Sequence, residues 1–350
     1  MQPVRMGFVG AGFMGQLAHI GNYAALDGCE LVALAEPRPK LAGLVAERHG
    51  FARVYADHRE LAADPDVDAV AAILPQQLVT PVVRDLLAGG KHVITEKPMG
   101  VRADDCREVA QMAADAGLVY QVGYMKRHDS GVLLAKRMID ELLESGALGE
   151  IIMARVSCFA GEWLCGIESP IMTDERVPEG ISEARPFPDW MPAELHAIFH
   201  RLLNVDSHVT NLVRFLIGEY EIEHAAYRDM SRPVMLQGWS DSGVNCVFTL
   251  GSLPAPRWHE SIELFFERAT LLLEPPPPMQ RQCATRVVLH EMGDEPRIIE
   301  PKAAPGWAFA AEAAHFLASV RGEEAPVSPA FDALRDVELA EQAVGIICGG

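Results

Sequence analysis

The sequence contains no C-x-x-C pair, although it has seven cysteines. Because their number is odd and their spacings are wide, they predict neither a disulfide framework nor a zinc site, and we expect no bound metal. No apolar run approaches the ~18 residues of a membrane span. The first residues also lack the basic and then apolar pattern of a secretory signal. We therefore expect a cytoplasmic protein of a reducing compartment, without a membrane partner.

Acidic residues dominate the charge balance, and clustered basic residues are missing. There are 49 Asp and Glu against 30 Lys and Arg, which gives a formal net charge of −19. Binding to phosphates of nucleic acid needs clustered Lys and Arg, so we expect no nucleic-acid partner. An acidic protein attracts cationic small molecules, but excess acid is more often a solvated surface. Both interpretations stay open at this point.

Residues 1–125 alternate short apolar runs with segments of helical periodicity. The runs show no polar alternation, which is typical of parallel strands buried on both faces. Strands that alternate with helices predict right-handed βαβ units and a doubly wound α/β sheet. The predicted strands are Val4–Val9, Glu30–Ala35, Ala69–Leu74, His92–Thr95 and Val119–Val122, and the predicted helices are Met14–Leu26, Pro39–His49, Thr80–Gly89 and Ala103–Ala116.

The pattern changes after Met125. Residues 126–350 hold consecutive strand candidates with little helix between them, which predicts a second, α+β domain with a mostly antiparallel sheet. One helix is expected at Gly131–Ser145, and two more at Ala308–Val320 and Phe331–Ile347, from where they can pack back on the first domain. The predicted strands are Ile151–Ala160, Glu221–Arg228, Met235–Trp239, Asn245–Leu250, Ser261–Glu267, Thr270–Leu273 and Arg286–His290.

A long segment, Gly161–His200, resists assignment to a helix or strand. Its five prolines forbid a long helix, and a loop of this length in a compact domain is usually functional. The part from Gly161 to Leu195 is acidic, because only Arg176 and Arg185 oppose eight acids. These acids are Glu162, Glu168, Asp174, Glu175, Glu179, Glu183, Asp189 and Glu194.

The strongest local motif is Gly10-Ala11-Gly12-Phe13-Met14-Gly15, directly after the first predicted strand and at the start of a helix. Gly10 allows the tight turn, Gly12 lets a pyrophosphate approach the backbone, and Gly15 lets the helix pack close to the strand. The helix N-terminus then receives the phosphate charge. The strand-turn-helix context makes this motif a predicted dinucleotide-binding turn.

The type of dinucleotide depends on Glu36 and Arg38. Glu36 follows Gly10 by 26 residues, near the ~20 expected for the acid that binds the adenosine ribose hydroxyls. A carboxylate there repels a 2′-phosphate and favours NAD over NADP. Arg38 opposes this interpretation, because a guanidinium binds that phosphate or stacks on adenine. We expect NAD, with NADP as the less favoured alternative.

A second motif, Glu96-Lys97-Pro98, follows the strand His92–Thr95. Ligands of a doubly wound sheet bind at the carboxyl ends of its strands. Pro98 restricts Lys97 to an extended conformation, from which the ammonium can point into the crevice. Taken alone, Lys-Pro is also compatible with a surface lysine before a turn.

Together these motifs resemble the glucose–fructose oxidoreductase / inositol dehydrogenase / rhizopine catabolism (Gfo/Idh/MocA) family. The resemblance rests on the glycine motif, Glu96-Lys97-Pro98, Val122-Gly123-Tyr124-Met125-Lys126-Arg127, Leu148-Gly149-Glu150, and the last helices around Trp307, Glu312 and Phe316. It implies an N-terminal Rossmann domain, a C-terminal domain with a large open sheet, and homodimers or homotetramers built on that sheet. It also implies hydride transfer between a sugar or cyclitol carbon and a nicotinamide.

The resemblance also implies site residues. Family members usually have Asp-x-x-x-His in the second domain, and here His208 matches while Asn204 replaces the Asp. Asn204, His208 and Asn211 have the spacing of one polar helix face. Asp206 is a less favoured partner of His208 than Asn204, because residues i and i+2 point apart on a regular helix. The chain also has Pro75-Gln76-Gln77 where relatives often have Pro-Asn-x-x-His. The expected cofactor contacts are Gly10, Ala11, Gly12, Phe13, Met14, Gly15, Glu36, Arg38, Leu74, Pro75, Glu96 and Lys97.

These residues predict a dehydrogenase. His208 is expected to take the proton of a substrate hydroxyl, while Lys97 stabilises the developing alkoxide. Tyr124, Lys126 and Arg127 are candidate substrate contacts, the last two also being interpretable as a solvated basic pair. The acidic segment suggests an aminosugar, for example an intermediate of aminoglycoside biosynthesis, against a neutral sugar or inositol. A non-catalytic sugar-sensing regulator and an NAD-assisted glycosidase remain the alternative functions.

Overall fold

The computed structural model describes residues 2–167, 169–178, 180, 183–253 and 257–349. The chain forms two compact units. The first unit comprises Met1–Tyr124, Glu168–Asp189 and Phe309–Val337, and the second comprises Met125–Ile167, Trp190–Ala308 and Glu338–Gly350. Within the described part of the chain, no helix is both long and apolar enough to cross a membrane.

The first unit contains a six-stranded sheet of order β3-β2-β1-β4-β5-β6 in which every neighbouring pair is parallel. The predicted doubly wound α/β sheet is confirmed. The strands are β1 (Val4–Val9), β2 (Cys29–Ala35), β3 (Arg53–Tyr55), β4 (Ala69–Ala72), β5 (His92–Glu96) and β6 (Tyr120–Gly123). A π-helical turn (Gly15–Ile20) leads into α1 (Gly21–Ala24), followed by α2 (Pro39–His49), α3 (His58–Ala62), α4 (Val79–Ala88) and α5 (Ala103–Asp115).

Burial on both faces explains why this sheet could be predicted. All residues of β4 are buried, as expected for a central parallel strand, and all residues of the edge strand β6 are buried as well. Aromatic rings close the core on one side: Phe8 packs edge-to-face against Tyr23 with ring centroids 5.5 Å apart, and against Phe51 at 5.8 Å. These contacts join β1 to its flanking helices and stabilise the layer by burying large apolar surfaces.

The second unit contains an eight-stranded sheet of order β14-β13-β12-β11-β7-β10-β9-β8. Every neighbouring pair is antiparallel except β7 and β10, which are parallel, so the prediction of a mostly antiparallel α+β domain is confirmed. The strands are β7 (Ile151–Ala160), β8 (Tyr220–Ala226), β9 (Val234–Ser240), β10 (Asn245–Ser252), β11 (His259–Phe266), β12 (Ala269–Glu274), β13 (Arg286–Glu291) and β14 (Arg297–Ile299).

The remaining helices are α6 (Ser130–Ser145), α7 (His196–Arg201), α8 (Ser207–Ile217), α9 (Ala308–Val320) and α10 (Ala330–Gly349). A π-helical stretch, Leu202–Asp206, connects α7 with α8. The prediction that the unstructured segment reaches His200 is wrong at its end, because a 3₁₀ turn starts at Ala193 and α7 at His196. Pro192 immediately precedes the first turn, where proline is tolerated, and none follows within the helix.

We predict that Gly131→Ala destabilises the protein by about 2 kcal/mol or more, because overpacking against fixed backbone is costly. A Cβ added at Gly131 in α6 would overlap the backbone carbonyl of Thr285 and lie 2.9 Å from its nitrogen. The measurement is thermal or urea unfolding followed by circular dichroism.

Gly345→Ala in α10 is the matched control, since nothing lies within 4 Å of an added Cβ there. Because alanine favours helix, this variant should gain ~0.5–1 kcal/mol. Equal stabilities of the two variants would contradict the close approach of α6 to Thr285.

Candidate active site

The glycine turn after β1 has the geometry that its sequence predicts. Gly10 has φ +90°, and a Cβ there would lie 2.5 Å from the carbonyl oxygen of Ile73. A Cβ on Gly15 would lie 2.9 Å from the carbonyl oxygen of Gly10, so helix and strand meet at close contact. By contrast, nothing lies within 4 Å of a Cβ built on Gly12. The open space above Gly12 fits a pyrophosphate that approaches the backbone.

The carboxylate of Glu36, at the end of β2, is buried and fully engaged. Its Oε2 accepts hydrogen bonds from the Ala11 backbone nitrogen at 2.9 Å and from Arg38 Nη2 at 2.9 Å. Its Oε1 accepts from Arg38 Nε at 2.7 Å and from the Arg38 backbone nitrogen at 3.2 Å. A carboxylate offers about four lone-pair directions. Glu36 therefore takes a ribose hydroxyl only if Arg38 releases one of these bonds.

The other expected cofactor contacts lie along the same edge of the first sheet. Phe13 is exposed and Met14 is half-buried in the turn after β1. Leu74 and Pro75 follow β4 and are half-buried and exposed, respectively. The sequence did not single out Gln76 as a contact, yet its buried amide has neither its oxygen nor its nitrogen hydrogen-bonded within the described structure. An unsatisfied buried amide is costly, which makes Gln76 a further candidate contact for a polar ligand.

Glu96 and Lys97 lie at the carboxyl end of β5. Glu96 is buried, and its Oε1 lies 2.8 Å from His19 Nε2 while its Oε2 accepts from the Lys97 backbone nitrogen at 3.2 Å. Burial by itself raises the pKa of Glu96, but the hydrogen bond and charge of His19 outweigh it and hold the pKa below its ordinary value. The peptide bond between Lys97 and Pro98 is cis. Glu96 thus stays ionised and fixes the backbone of Lys97.

A second buried carboxyl group, that of Glu312 in α9, belongs to the same unit. Burial, together with the charge of Glu96, raises the pKa of Glu312 well above its ordinary value. Its Oε1 has no hydrogen-bond partner within the described residues. The pKa values of the two carboxyl groups are therefore shifted in opposite directions, that of Glu96 downwards and that of Glu312 upwards. His19 was not among the site residues predicted from the sequence, although its position on the buried face of the predicted helix Met14–Leu26 indicated a buried polar group.

Lys126 and Arg127, in a 3₁₀ turn of the second unit, are both buried. Lys126 forms an ion pair with the buried Glu260, and Arg127 Nε donates to Asn211 Oδ1 at 2.7 Å. The interpretation as a solvated basic pair is wrong, because each cation has a polar partner that lowers the cost of burial. Tyr124, which ends the first unit, is buried as well.

His208 lies in the first turn of α8 and is half-buried. The predicted polar face assumed a regular α-helix, whereas Asn204 lies in the π-helical stretch Leu202–Asp206 and His208 and Asn211 lie in α8. Asn204 is exposed, whereas Asn211 is buried. Asp206 is also buried, and its Oδ2 lies 3.2 Å from Arg201 Nε. Burial raises the pKa of Asp206 to about 7, although Arg201 opposes the shift.

Comparison with known proteins gives relatives for both sequence and fold. The family described as an oxidoreductase family with an NAD-binding Rossmann fold matches residues 4–124. Levoglucosan dehydrogenase of Pseudarthrobacter phenanthrenivorans is 28% identical over 233 residues, which cover 64% of this chain and 54% of the relative. An inositol 2-dehydrogenase/D-chiro-inositol 3-dehydrogenase of Shouchella clausii is 38% identical over 156 residues, or 43% of each chain. The chain spans about half the length of these curated relatives.

Solved structures share the fold over nearly the whole chain. The 3-ketoreductase KijD10 of Actinomadura kijaniata, in complex with TDP-benzene and NADP in an open conformation, superposes with a TM-score of 0.73 at 20% identity and covers 97% of this chain and 96% of its own. The apo scyllo-inositol dehydrogenase of Lactobacillus casei has a TM-score of 0.71 at 18% identity, covering 99% and 96%. Residues 4–124 thus match the NAD-binding Rossmann fold of the Gfo/Idh/MocA oxidoreductase family, and the solved structures share the fold of nearly the whole chain.

Proposed function

We propose that this protein is an NAD-dependent dehydrogenase that oxidises a secondary hydroxyl of a sugar or cyclitol. The observation that carries the proposal is the geometry of the first unit. The glycine turn leaves open space at Gly12, and Lys97 follows β5, at the carboxyl edge of the same parallel sheet. Ligands of such sheets bind at that edge.

Each group of residues has a defined task in this proposal. Gly12 and the helix N-terminus hold the pyrophosphate, and Glu36 faces the adenosine ribose. When bound, the nicotinamide supplies the hydride acceptor. Lys97 binds the substrate hydroxyl and stabilises the charge that develops on its oxygen. His208 accepts the proton, since an imidazole with a pKa near ~6.5 exchanges protons readily near neutrality.

The substrate class rests on the relatives, whose names give inositol and levoglucosan as substrates. An aminosugar, as in aminoglycoside biosynthesis, was suggested by the acidic segment alone. Three of its acids contact groups of the first unit, which weakens that argument: Glu175 accepts from the Lys40 backbone nitrogen, Asp174 contacts Lys40 Nζ, and Asp189 lies 3.7 Å from Arg102. Glu168 and Glu179 lie outside the described residues. We therefore favour a neutral polyol.

We also propose a homodimer or homotetramer built on the sheet of the second unit. Large apolar side chains on its strands are exposed: Ile152 is 54% exposed, Met235 51% and Trp239 44%. An apolar patch of this kind is typical of an interface. Light scattering during size-exclusion chromatography measures the number of chains directly.

We predict that Lys97→Ala and His208→Ala each lower kcat at least ~100-fold, the usual effect of removing a general base or an electrostatic stabiliser. NAD should still bind with little change, because the glycine turn and Glu36 are intact. The measurement is NADH absorbance with myo-inositol, scyllo-inositol, glucose, levoglucosan and an aminosugar as substrates, and calorimetry for NAD binding.

The other functions give different results in the same assays. A sugar-sensing regulator would bind NAD and show no turnover with any substrate. An NAD-assisted glycosidase would cleave a glycoside without net NADH. Unchanged turnover in both variants, on a substrate that the wild type oxidises, would contradict the assigned roles.

We predict that Asn204→Asp moves the acid limb of kcat/KM for oxidation to higher pH by about half a unit. A carboxylate near His208 favours the imidazolium and raises its pKa, and only the neutral imidazole accepts a proton. The loss of rate is therefore expected below the pKa of His208 and disappears at high pH. The measurement is a pH profile of NADH formation.

Asn204→Ala is the control for that profile, since it removes the amide without adding charge and should leave the limb in place. A limb that moves to lower pH in Asn204→Asp, or moves equally in both variants, would show that Asn204 does not act on His208 through charge.

A further inference from the structure

Residues 169–178, 180 and 183–189, here called the strap, pack along the carboxyl edge of the parallel sheet in the first unit. The strap contacts the segment that follows each of four strands in turn, and its described contacts span β1, β2, β4 and β5. Ile171 N and O bond to Gln16, Glu175 to the start of α2, Arg185 N to Gln77 O at 2.8 Å, and the Arg185 guanidinium to Asp105. This is the edge where a dinucleotide binds in a doubly wound sheet.

Within the strap, Glu175 occupies the N-terminus of α2. Its Oε1 accepts from the Lys40 backbone nitrogen at 2.9 Å and its Oε2 from the Leu41 backbone nitrogen at 2.9 Å. These are the donors that a helix N-terminus offers to an anion. Asp174 adds a contact to Lys40 Nζ at 3.3 Å, but both of these side chains are largely exposed, so that contact is weak.

The remaining cation at this end is Arg38, which directly precedes α2. Two nitrogens of its guanidinium bind the buried Glu36. The 2′-phosphate of NADP would lie beside the acid at the end of β2 and near a neighbouring arginine. At that place in this chain, Glu175 accepts from the helix donors and Glu36 binds the guanidinium of Arg38, while Lys40 is held only weakly by Asp174.

We infer that Glu175 is a specificity-determining residue that makes the cofactor site select NAD against NADP. The inference rests on the proposed function, because it assumes that the glycine turn binds a dinucleotide. Glu175 acts by placing a negative charge, and by occupying two backbone donors, where the extra phosphate would need them. Discrimination of this kind works by penalising the competing ligand.

The test measures the dissociation constants of NAD⁺ and NADP⁺ by calorimetry, without any substrate. Glu175→Ala should tighten NADP⁺ binding about tenfold and leave NAD⁺ binding within about twofold. Glu175→Gln should give a smaller gain, since its amide oxygen still accepts a backbone hydrogen bond. Glu183→Ala removes an exposed acid of the same strap and is the control for a general effect of charge. It should leave the ratio of the NADP⁺ and NAD⁺ dissociation constants unchanged.

The outcomes separate the inference from the proposed function. If the wild type binds NAD⁺ and Glu175→Ala leaves the ratio of the NADP⁺ and NAD⁺ dissociation constants unchanged, the inference alone is overturned. A wild type that already prefers NADP⁺, or an equal effect of Glu183→Ala, would also overturn the inference alone. A wild type that binds neither dinucleotide would overturn the proposed function and the inference together.

Discussion

The carboxylate of Glu36 is the group on which the nucleotide end of this protein depends. A buried charge is tolerated only where hydrogen bonds and opposite charge replace its hydration. Glu36 obtains them from the turn after β1, through Ala11, and from Arg38 at the start of α2. One side chain thus ties the end of β2 and the start of α2 to the turn after β1, which lies 25 residues earlier in the chain. The position of Gly12, and with it the space for a pyrophosphate, follows from that anchor.

The same need for compensation gives the acidic segment a local explanation. The net charge of −19 does not reveal which groups the acidic side chains contact. In the first unit, Glu175 satisfies backbone donors of α2 and Asp174 contacts Lys40 Nζ. These acids serve helix ends and basic side chains of the same unit. Part of the acidity is therefore internal to the nucleotide-binding unit and is no evidence for a cationic substrate.

The sequence predicted those strands and helices whose apolar runs and end residues lie within the element itself. β1 and α2 have the predicted bounds, since an apolar run marks the strand, and Pro39 and Gly50 mark the ends of the helix. β3 and β14 were missed because they are three residues long and carry little buried apolar surface. An edge strand of that kind is defined by its neighbour in the sheet, and no pattern within three residues reports it.

The candidate site shows the same limit. The glycine turn and Lys97 were identified from residue type and order. The burial of Lys126 and the π-helical turn at Leu202–Asp206 were not, because each depends on partners far away in sequence or on packing of the whole helix. Lys126 reaches Glu260, 134 positions later. A basic pair in a sequence looks the same whether water or a distant carboxylate solvates it.

Glu96 and Glu312, two of the buried carboxyl groups of the first unit, show how such distant partners set the chemistry. Like charges close together in a medium of low polarity cannot both be ionised at little cost. His19 stabilises the charge on Glu96, whereas burial and the charge of Glu96 raise the pKa of Glu312. The ionised Glu96 then holds the backbone nitrogen of Lys97. In the Glu-Lys-Pro motif the glutamate therefore acts on the peptide that carries the lysine.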